Sequence, residues 1–419
     1  MMPLYARELA WFEEGNEKVL GLIAVDMTDD DYVYYVLGRD AKGRFRNVDF
    51  KISIATEDEA TSLLEHKLIE HSALPADNFF QGDEKGKPLD FFTPLVASEK
   101  LNSVFKHFSA KKGYSPGREL MTQMMYYFQD LDGNFVKDFQ TTGFDARLWE
   151  LYLYATFTEV EYGLVRDHSV PDFHCRGLRG EFFVEATTVN PPANPVTFEN
   201  EDDYFDHYVP MKFSGVLTDK LKKEYWKHEH VKGHPLLFAI QDFHAPGSMI
   251  WTSTPLVEYL YGFRQIEQET GDGGVEIVIQ KVPDYQWGKK PPIPAGFFLQ
   301  PDSENISAVL ANPNGTITKF NRMGFLAGFG DPKIMMLRKG SCYRDGKAPE
   351  EFVDEVHAEG YKESWEEGLC VYHNPNALLP LSPDSFPNAA QFSAVDGKII
   401  IEVPAYHPIA SQTLIIDPV

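Results

Sequence analysis

The segment Phe144–Val189 constrains this chain more than any other, because it places a long helix and a hairpin in succession and threads three acids through them. Phe144, Leu148, Leu151 and Ala155 recur at the spacing of one helix face, and Asp145 stands where an acidic residue favours a helix start. Glu150 rides on the flank of that stripe. Val170–Cys175 and Glu181–Thr187 are β-type runs separated by Arg176-Gly177-Leu178-Arg179-Gly180, a turn-forming string, so the two are expected to pair as a hairpin. Side chains alternate along a strand, which puts Phe183, Glu185 and Thr187 on one face and Phe182, Val184 and Ala186 on the other, the apolar set directed inward.

Register decides whether the acids meet. Folding the hairpin about its middle, near residue 178, sets Asp172 almost opposite Glu185. Directly opposed residues of an antiparallel pair have Cβ atoms roughly 4.5–5.5 Å apart, and like charges there repel. Such a pair asks for a cation or a shared proton. Two hard carboxylates beside a backbone carbonyl, with Glu150 reaching in from the helix, suit Mg²⁺ or Mn²⁺, which keep several waters for chemistry.

This arrangement resembles the PD-(D/E)XK superfamily, the restriction-endonuclease-like nucleases. Their pattern is a helical Glu, a Pro-Asp at a strand and (Asp/Glu)-X-Lys on the next strand, matched here by Glu150, Pro171-Asp172 and Glu185-Ala186-Thr187. The resemblance implies an α/β (α+β) fold with an αβββαβ core, and a metal-dependent phosphodiesterase in which Asp172 and Glu185 bind Mg²⁺ or Mn²⁺ and Glu150 is an accessory ligand. Thr187 stands where the family has its lysine, and its hydroxyl brings no positive charge. A lysine displaced to the following helix, about Lys212–Lys227, is the candidate replacement: Phe213, Val216 and Leu217 form the apolar face there and Lys220 projects between them. Lys220 either turns toward the carboxylates or snorkels and pairs with Glu224 one turn on. Lys220 or Thr187 would then position the nucleophile. The function expected is a nuclease, placed in bacterial defence or DNA processing by analogy with the superfamily. The alternative is a nuclease fold kept without catalysis, as a module that binds nucleic acid or protein.

A net charge of −24 argues against a protein that coats nucleic acid indiscriminately, since neutralising phosphates needs surface Lys and Arg. It leaves room for a local basic groove. Lys212, Lys222, Lys223 and Lys227 follow the candidate site and are the expected nucleic-acid contacts, with DNA the first partner to consider and a second copy of the chain the other. Three scattered cysteines, Cys175, Cys342 and Cys370, make no disulfide framework and fit a reducing cytoplasm. No apolar run approaches a membrane span. A nucleophilic Ser or Cys hydrolase lacks support: there is no Gly-X-Ser-X-Gly elbow, and Cys175 alternates to the opposite face from His174.

The rest of the chain is expected to divide around this core. Residues 1–80 read as an α+β module, with a β-meander from strands at 19–25 and 32–37 and a helix opened by a Thr56/Glu59 capping box. The stretch 81–90 reads as the linker, 95–270 as the core with its preceding helices, and 271–419 as a β-rich extension added antiparallel to the same sheet. Within the core, Asp130–Asn134 faintly resembles a calcium loop and reads as a turn, the loop Asn190–Pro195 would border a substrate groove, and Gln241-Asp242 would end a central strand. In the extension, Asn314-Gly315 reads as a hairpin turn into a strand from Thr316, which makes Lys319–Arg322 a basic strand edge, and Lys398–Val403 reads as a last strand.

Overall fold

The computed structural model describes residues 6–82, 89–128, 130, 133–194, 196–198, 200–269, 274–289 and 291–417. The middle of the linker stretch, residues 83–88, lies outside the described residues, as do Leu131 and Asp132 of the calcium-like string and Pro195 of the groove-side loop. The chain forms two compact units, residues 1–91 with 122–129, and residues 92–121 with 130–419.

In the first unit β1 (Ala6–Glu14), β2 (Val19–Asp26), β3 (Tyr32–Arg39) and β4 (Phe45–Ile54) make an antiparallel meander in that order, with α1 (Glu57–Ser72) packed on it. The sequence pattern misses β1, whose residues ARELAWFEE carry no clean alternation. Thr56 caps α1 as expected, its hydroxyl accepting from the Glu59 amide at 3.3 Å. Ala60, Leu64 and Leu68 pack on Val19, Ile23, Tyr34 and Val36. The approach is close enough to require glycine at Gly21, where a Cβ would lie 2.8 Å from Leu64 Cδ1.

The second unit begins with α2 (Ser103–Ala110), α3 (Ser115–Met124), whose last residues count with the first unit, and α4 (Phe135–Gln140). Then come α5 (Phe144–Glu159), β5 (Gly163–Val165), β6 (Phe173–Gly177), β7 (Gly180–Val189), α6 (Val209–Leu221) and β8 (Leu236–Asp242), the element order αβββαβ. Next are α7 (Ser253–Tyr261), a hairpin of β9 (Phe263–Glu269) and β10 (Val275–Lys281), a short pair β11 (Asp284–Tyr285) and β12 (Ile293–Pro294), β13 (Ala308–Ala311) and α8 (Ile317–Leu326). The chain ends in β14 (Met335–Arg344), β15 (Glu350–Glu355), β16 (Cys370–His373), β17 (Ala390–Val395), β18 (Lys398–Glu402) and β19 (Tyr406–Ile416).

One eight-stranded sheet, ordered β18-β17-β16-β13-β8-β7-β6-β5, organises this unit. β7, β8 and β13 run parallel to one another and β6 joins β7 antiparallel. A parallel centre is covered on both faces, and this corrects the expectation that only the Phe182 face of β7 goes inward. Phe182 packs with Phe157 and Tyr162 on the α5 side, while Phe183 belongs to the cluster containing Phe213 and Leu217 of α6. Both rings are 1 % exposed.

The C-terminal residues do join the main sheet, though not as simple antiparallel additions. β13 and β17 join parallel to β8 and β16, and the Val275 strand pairs with β9 instead of the main sheet. Asn314-Gly315 makes no hairpin turn. Asn314 is buried, donates to the Pro408 carbonyl and accepts from the Ser411 hydroxyl, and the chain turns directly into α8. Lys319 and Arg322 are therefore interior helix residues, not a strand edge, drawn in by Glu363: Arg322 Nε and Nη2 donate to it at 2.7 Å each, and Lys319 Nζ at 3.2 Å. Arg338 of β14 joins them through Glu367, at 2.7 Å. Burial alone would raise the Glu363 carboxyl, but Arg322, Lys319 and Arg338 hold it well below the usual range. Glu363→Gln takes the carboxylate from Arg322 and Lys319, leaving Glu367 as the carboxylate paired with Arg338, and is expected to cost about 3–5 kcal/mol of stability, read from urea unfolding of the full chain.

Candidate active site

The candidate site is built where the hairpin β6–β7 meets α5 and α6. Gly177 pairs with Gly180 and Phe173 with Val184, so the turn is the two residues Leu178-Arg179, and the same register carried one residue past the last pair sets Asp172 opposite Glu185. This is the register that the sequence suggests. Asp172 Oδ2 accepts the Ala186 amide at 2.8 Å, which fixes the carboxylate against β7. Asp172, Glu150 and Thr187 line one cleft of about 420 Å³ together with Asp138, Arg147 and Lys220.

Glu185 sits behind this cleft, 4 % exposed in the middle of β7. Its Oε1 accepts from Lys220 Nζ at 2.5 Å and from Tyr225 OH at 2.6 Å. Its Oε2 is enclosed and has no hydrogen-bond partner. Lys220 thus turns to the carboxylates, and the reading that pairs it with Glu224 is overturned. Helix α6 ends at Leu221, one residue past Lys220, and Glu224 lies beyond that end and pairs with Lys227 at 2.6 Å. Glu150 accepts from Arg147 Nη1 at 3.0 Å, and Arg147 Nη2 reaches Asp138 at 2.8 Å. Arg166 Nη1 donates to the backbone carbonyl of Asp172 at 3.1 Å.

The carboxylates repel one another. Burial, then the charges of Glu185 and Glu150, push the Asp172 carboxyl well above its ordinary value, and Lys220 only partly offsets them. Burial also raises Glu150, against the pull of Arg147. Tyr225 is pushed up by burial and by its bond to Glu185, so its phenol stays protonated and donates. Asp138, Glu150, Asp172 and Glu185 face Arg147, Lys220 and Arg166, so the acids outnumber the cations by one.

The other expected contacts are placed less simply. Lys212 Nζ donates to the Asn190 carbonyl at 3.0 Å, so it fastens the cleft-side loop at the end of β7. Lys222 pairs with Asp219 at 3.1 Å and Lys232 with Glu229, which neutralises much of the basic excess seen in the sequence; Lys223 is exposed. Sequence reasoning misses Tyr225, Arg147, Asp138 and Arg166. Arg147 could be found from its i, i+3 spacing to Glu150 on the same helix. Tyr225 carries no such signal, because it lies in a short turn after α6, amid charged residues.

Among the described residues, no three His, Cys, Asp or Glu side chains form a ready-made metal-binding group. Two carboxylates opposed across the hairpin, one of them with a bare enclosed oxygen, suit an ion that keeps waters in its shell. Comparison with family models, with curated proteins and with solved structures gave no match for this chain.

The repulsion has a sign that can be tested. A carboxyl whose folded value is raised holds its proton more tightly in the folded chain. Its stabilising contribution is complete below the unfolded aspartate value of about 3.9 and is lost as pH rises through the higher folded value. Asp172→Asn keeps an acceptor for the Ala186 amide and removes the charge. In EDTA at neutral pH it is expected to be more stable than wild type by about 1–2 kcal/mol, and the gap should close as pH falls toward 4 in urea melts.

Proposed function

We propose that this chain is a divalent-metal-dependent nuclease of the restriction-endonuclease-like kind, with Asp172 and Glu185 as metal ligands, Glu150 as the accessory carboxylate and Lys220 in place of the missing motif lysine. The observation that most supports this reading is the division of labour on Glu185. One oxygen is saturated by Lys220 and Tyr225, while the other is enclosed without a partner beside a carboxyl already held out of its ordinary range. A buried acceptor left bare is costly, so its persistence asks for an explanation. The acids around the cleft outnumber the cations, an excess that a divalent ion would answer.

Mg²⁺ or Mn²⁺ held there would lower the pKa of a bound water and neutralise phosphoryl charge. The chain's own groups do the rest. Tyr225 and Lys220 orient Glu185, and Asp172 is oriented by the Ala186 amide. Lys220 Nζ spends one N–H on Glu185 and keeps two for an attacking water or a phosphoryl oxygen. Thr187 Oγ1 offers a neutral hydroxyl on the same cleft wall. The substrate proposed is nucleic acid, DNA ahead of RNA, with Lys223 the exposed lysine beside the cleft helix that is free of the short-range pairings seen for Lys222 and Lys227.

The test is calorimetric titration of Mn²⁺ and Mg²⁺ into wild type and the Asp172→Ala/Glu185→Ala double variant, with plasmid and single-stranded DNA cleavage read on the same samples. Binding and cleavage are expected in wild type and neither in the double variant. Lys220→Met should keep the metal and lose about 100-fold or more in cleavage rate. Absence of metal binding by wild type, with nucleic acid present, would sink the enzyme reading and leave a fold kept for recognition.

A further inference from the structure

The large sheet of the second unit ends at β18, whose inner edge pairs with β17 and whose outer edge meets no other strand among the described residues. Such an edge is a row of backbone donors and acceptors open to another strand, and folded proteins commonly blunt it with charge, a bulge or a short length. The far end of the same sheet is blunted by length, since β5 has three residues. β15, an edge of the three-stranded sheet, is blunted by charge. Its ionisable residues are Glu350, Glu351, Asp354 and Glu355, so antiparallel pairing with a second β15 brings like charges together. β18 is different: it reads Lys398-Ile399-Ile400-Ile401-Glu402, pairs with β17 without a bulge, and leaves Ile400 46 % exposed.

The turn before β18 decides which of its backbone groups face outward. Asp396 and Gly397 both have positive φ and form a two-residue hairpin loop, which closes on a hydrogen-bonded pair, Val395 with Lys398. Hydrogen bonding to β17 alternates from there. Lys398, Ile400 and Glu402 spend their backbone groups on β17, and the N–H and C=O of Ile399 and Ile401 point to the open edge.

A second β18 laid antiparallel and centred on Ile400 meets those groups in step. Ile399 falls opposite the partner's Ile401, and Ile401 opposite the partner's Ile399, which gives two doubly hydrogen-bonded pairs. Lys398 then stands opposite the partner's Glu402, Glu402 opposite the partner's Lys398, and the two Ile400 side chains meet on the axis. These three pairs share one face of the sheet and are of the non-hydrogen-bonded kind, in which side chains stand closest. Every other antiparallel register loses both ion pairs.

We propose that the chain forms a two-fold dimer in which β18 pairs antiparallel with β18 of a second copy, joining the two eight-stranded sheets into one. A contact of this symmetry uses both edges at once, so assembly stops at two. A five-residue strand pair is a small interface, and the dimer is correspondingly weak, with a Kd of about 10–100 µM. The surface is independent of the nuclease reading, since β18 lends no residue to the carboxylate cleft.

The test is sedimentation equilibrium of the metal-free full chain at low salt, over a concentration range of about 5–500 µM that brackets this Kd. Wild type is expected to pass from monomer to dimer across the range. Lys398→Glu and Glu402→Lys each set like charges opposite one another, and each alone should weaken association at least tenfold. Mixed one to one, with a fluorescent label on one of them, the two restore both ion pairs and should associate. Ile400→Lys puts two ammonium groups on the axis and should leave a monomer. All three positions are exposed, and melting curves confirm that each variant folds. A wild type that stays monomeric throughout, a folded Ile400→Lys protein that still dimerises, or a mixture of the two charge variants that associates no better than either alone would each overturn the proposal.

Discussion

A carboxylate can occupy the middle of a strand covered on both faces only if something answers its charge. β7 is such a strand, with α5 over one face and α6 over the other, and Glu185 is the carboxylate. Its partners are dictated by that position: Lys220 has to come from the covering helix, and Tyr225 from the turn that follows it. Buried ion pairs add little net stability but strongly restrict the arrangements in which the charge is tolerated. The placement of α6, its end at Leu221 and the turn beyond it all serve one oxygen of one side chain.

The same restriction shapes the cleft in front. Because Lys220 and Tyr225 both bind Oε1, the remaining charge of Glu185 is presented without a protein donor, beside Asp172, which the hairpin register sets opposite it. Arg147 quiets Glu150 and Asp138 along the other wall. The repulsion concentrated on Asp172 is thus a consequence of geometry that three separate elements impose, and relief of that repulsion is what a divalent ion would offer.

How much of this could be read from the chain itself depended on sequence distance. The hairpin was legible because Gly177 and Gly180 bracket a two-residue turn and alternation fixes the rest. Periodicity marked the helices, the hairpin and β8, while the short strand β5 that completes the αβββαβ order was expected only from the resemblance. Lys220 was legible as a lysine in need of a partner, and only half legible as to which: Glu224 and Glu185 lie on opposite sides of it in sequence, and the choice depended on where α6 stopped. Tyr225 was invisible because nothing local marks it. In the C-terminal part, Asn-Gly followed by Thr-Ile-Thr-Lys-Phe has the pattern of a hairpin turn and strand, and the competing fact, that Glu363 draws Lys319 and Arg322 inside on a helix, sits about forty residues downstream. The parallel joining of β13 to β8 likewise depends on a long crossover through α7 that leaves no local signature.

The knot of Lys319, Arg322, Arg338, Glu363 and Glu367 bears on what pieces of this chain are viable. Its cations come from α8 and β14 and its acids from the segment before β16, so the polypeptide crosses it repeatedly on the way to completing the sheet that carries Glu185. A product cut after α8 would keep two interior cations and lose both acids. Such a fragment would lack the means to close its interior, whatever became of its carboxylate hairpin. A cut anywhere between α8 and Glu363 therefore parts the Lys319 and Arg322 cations from the acids that answer them.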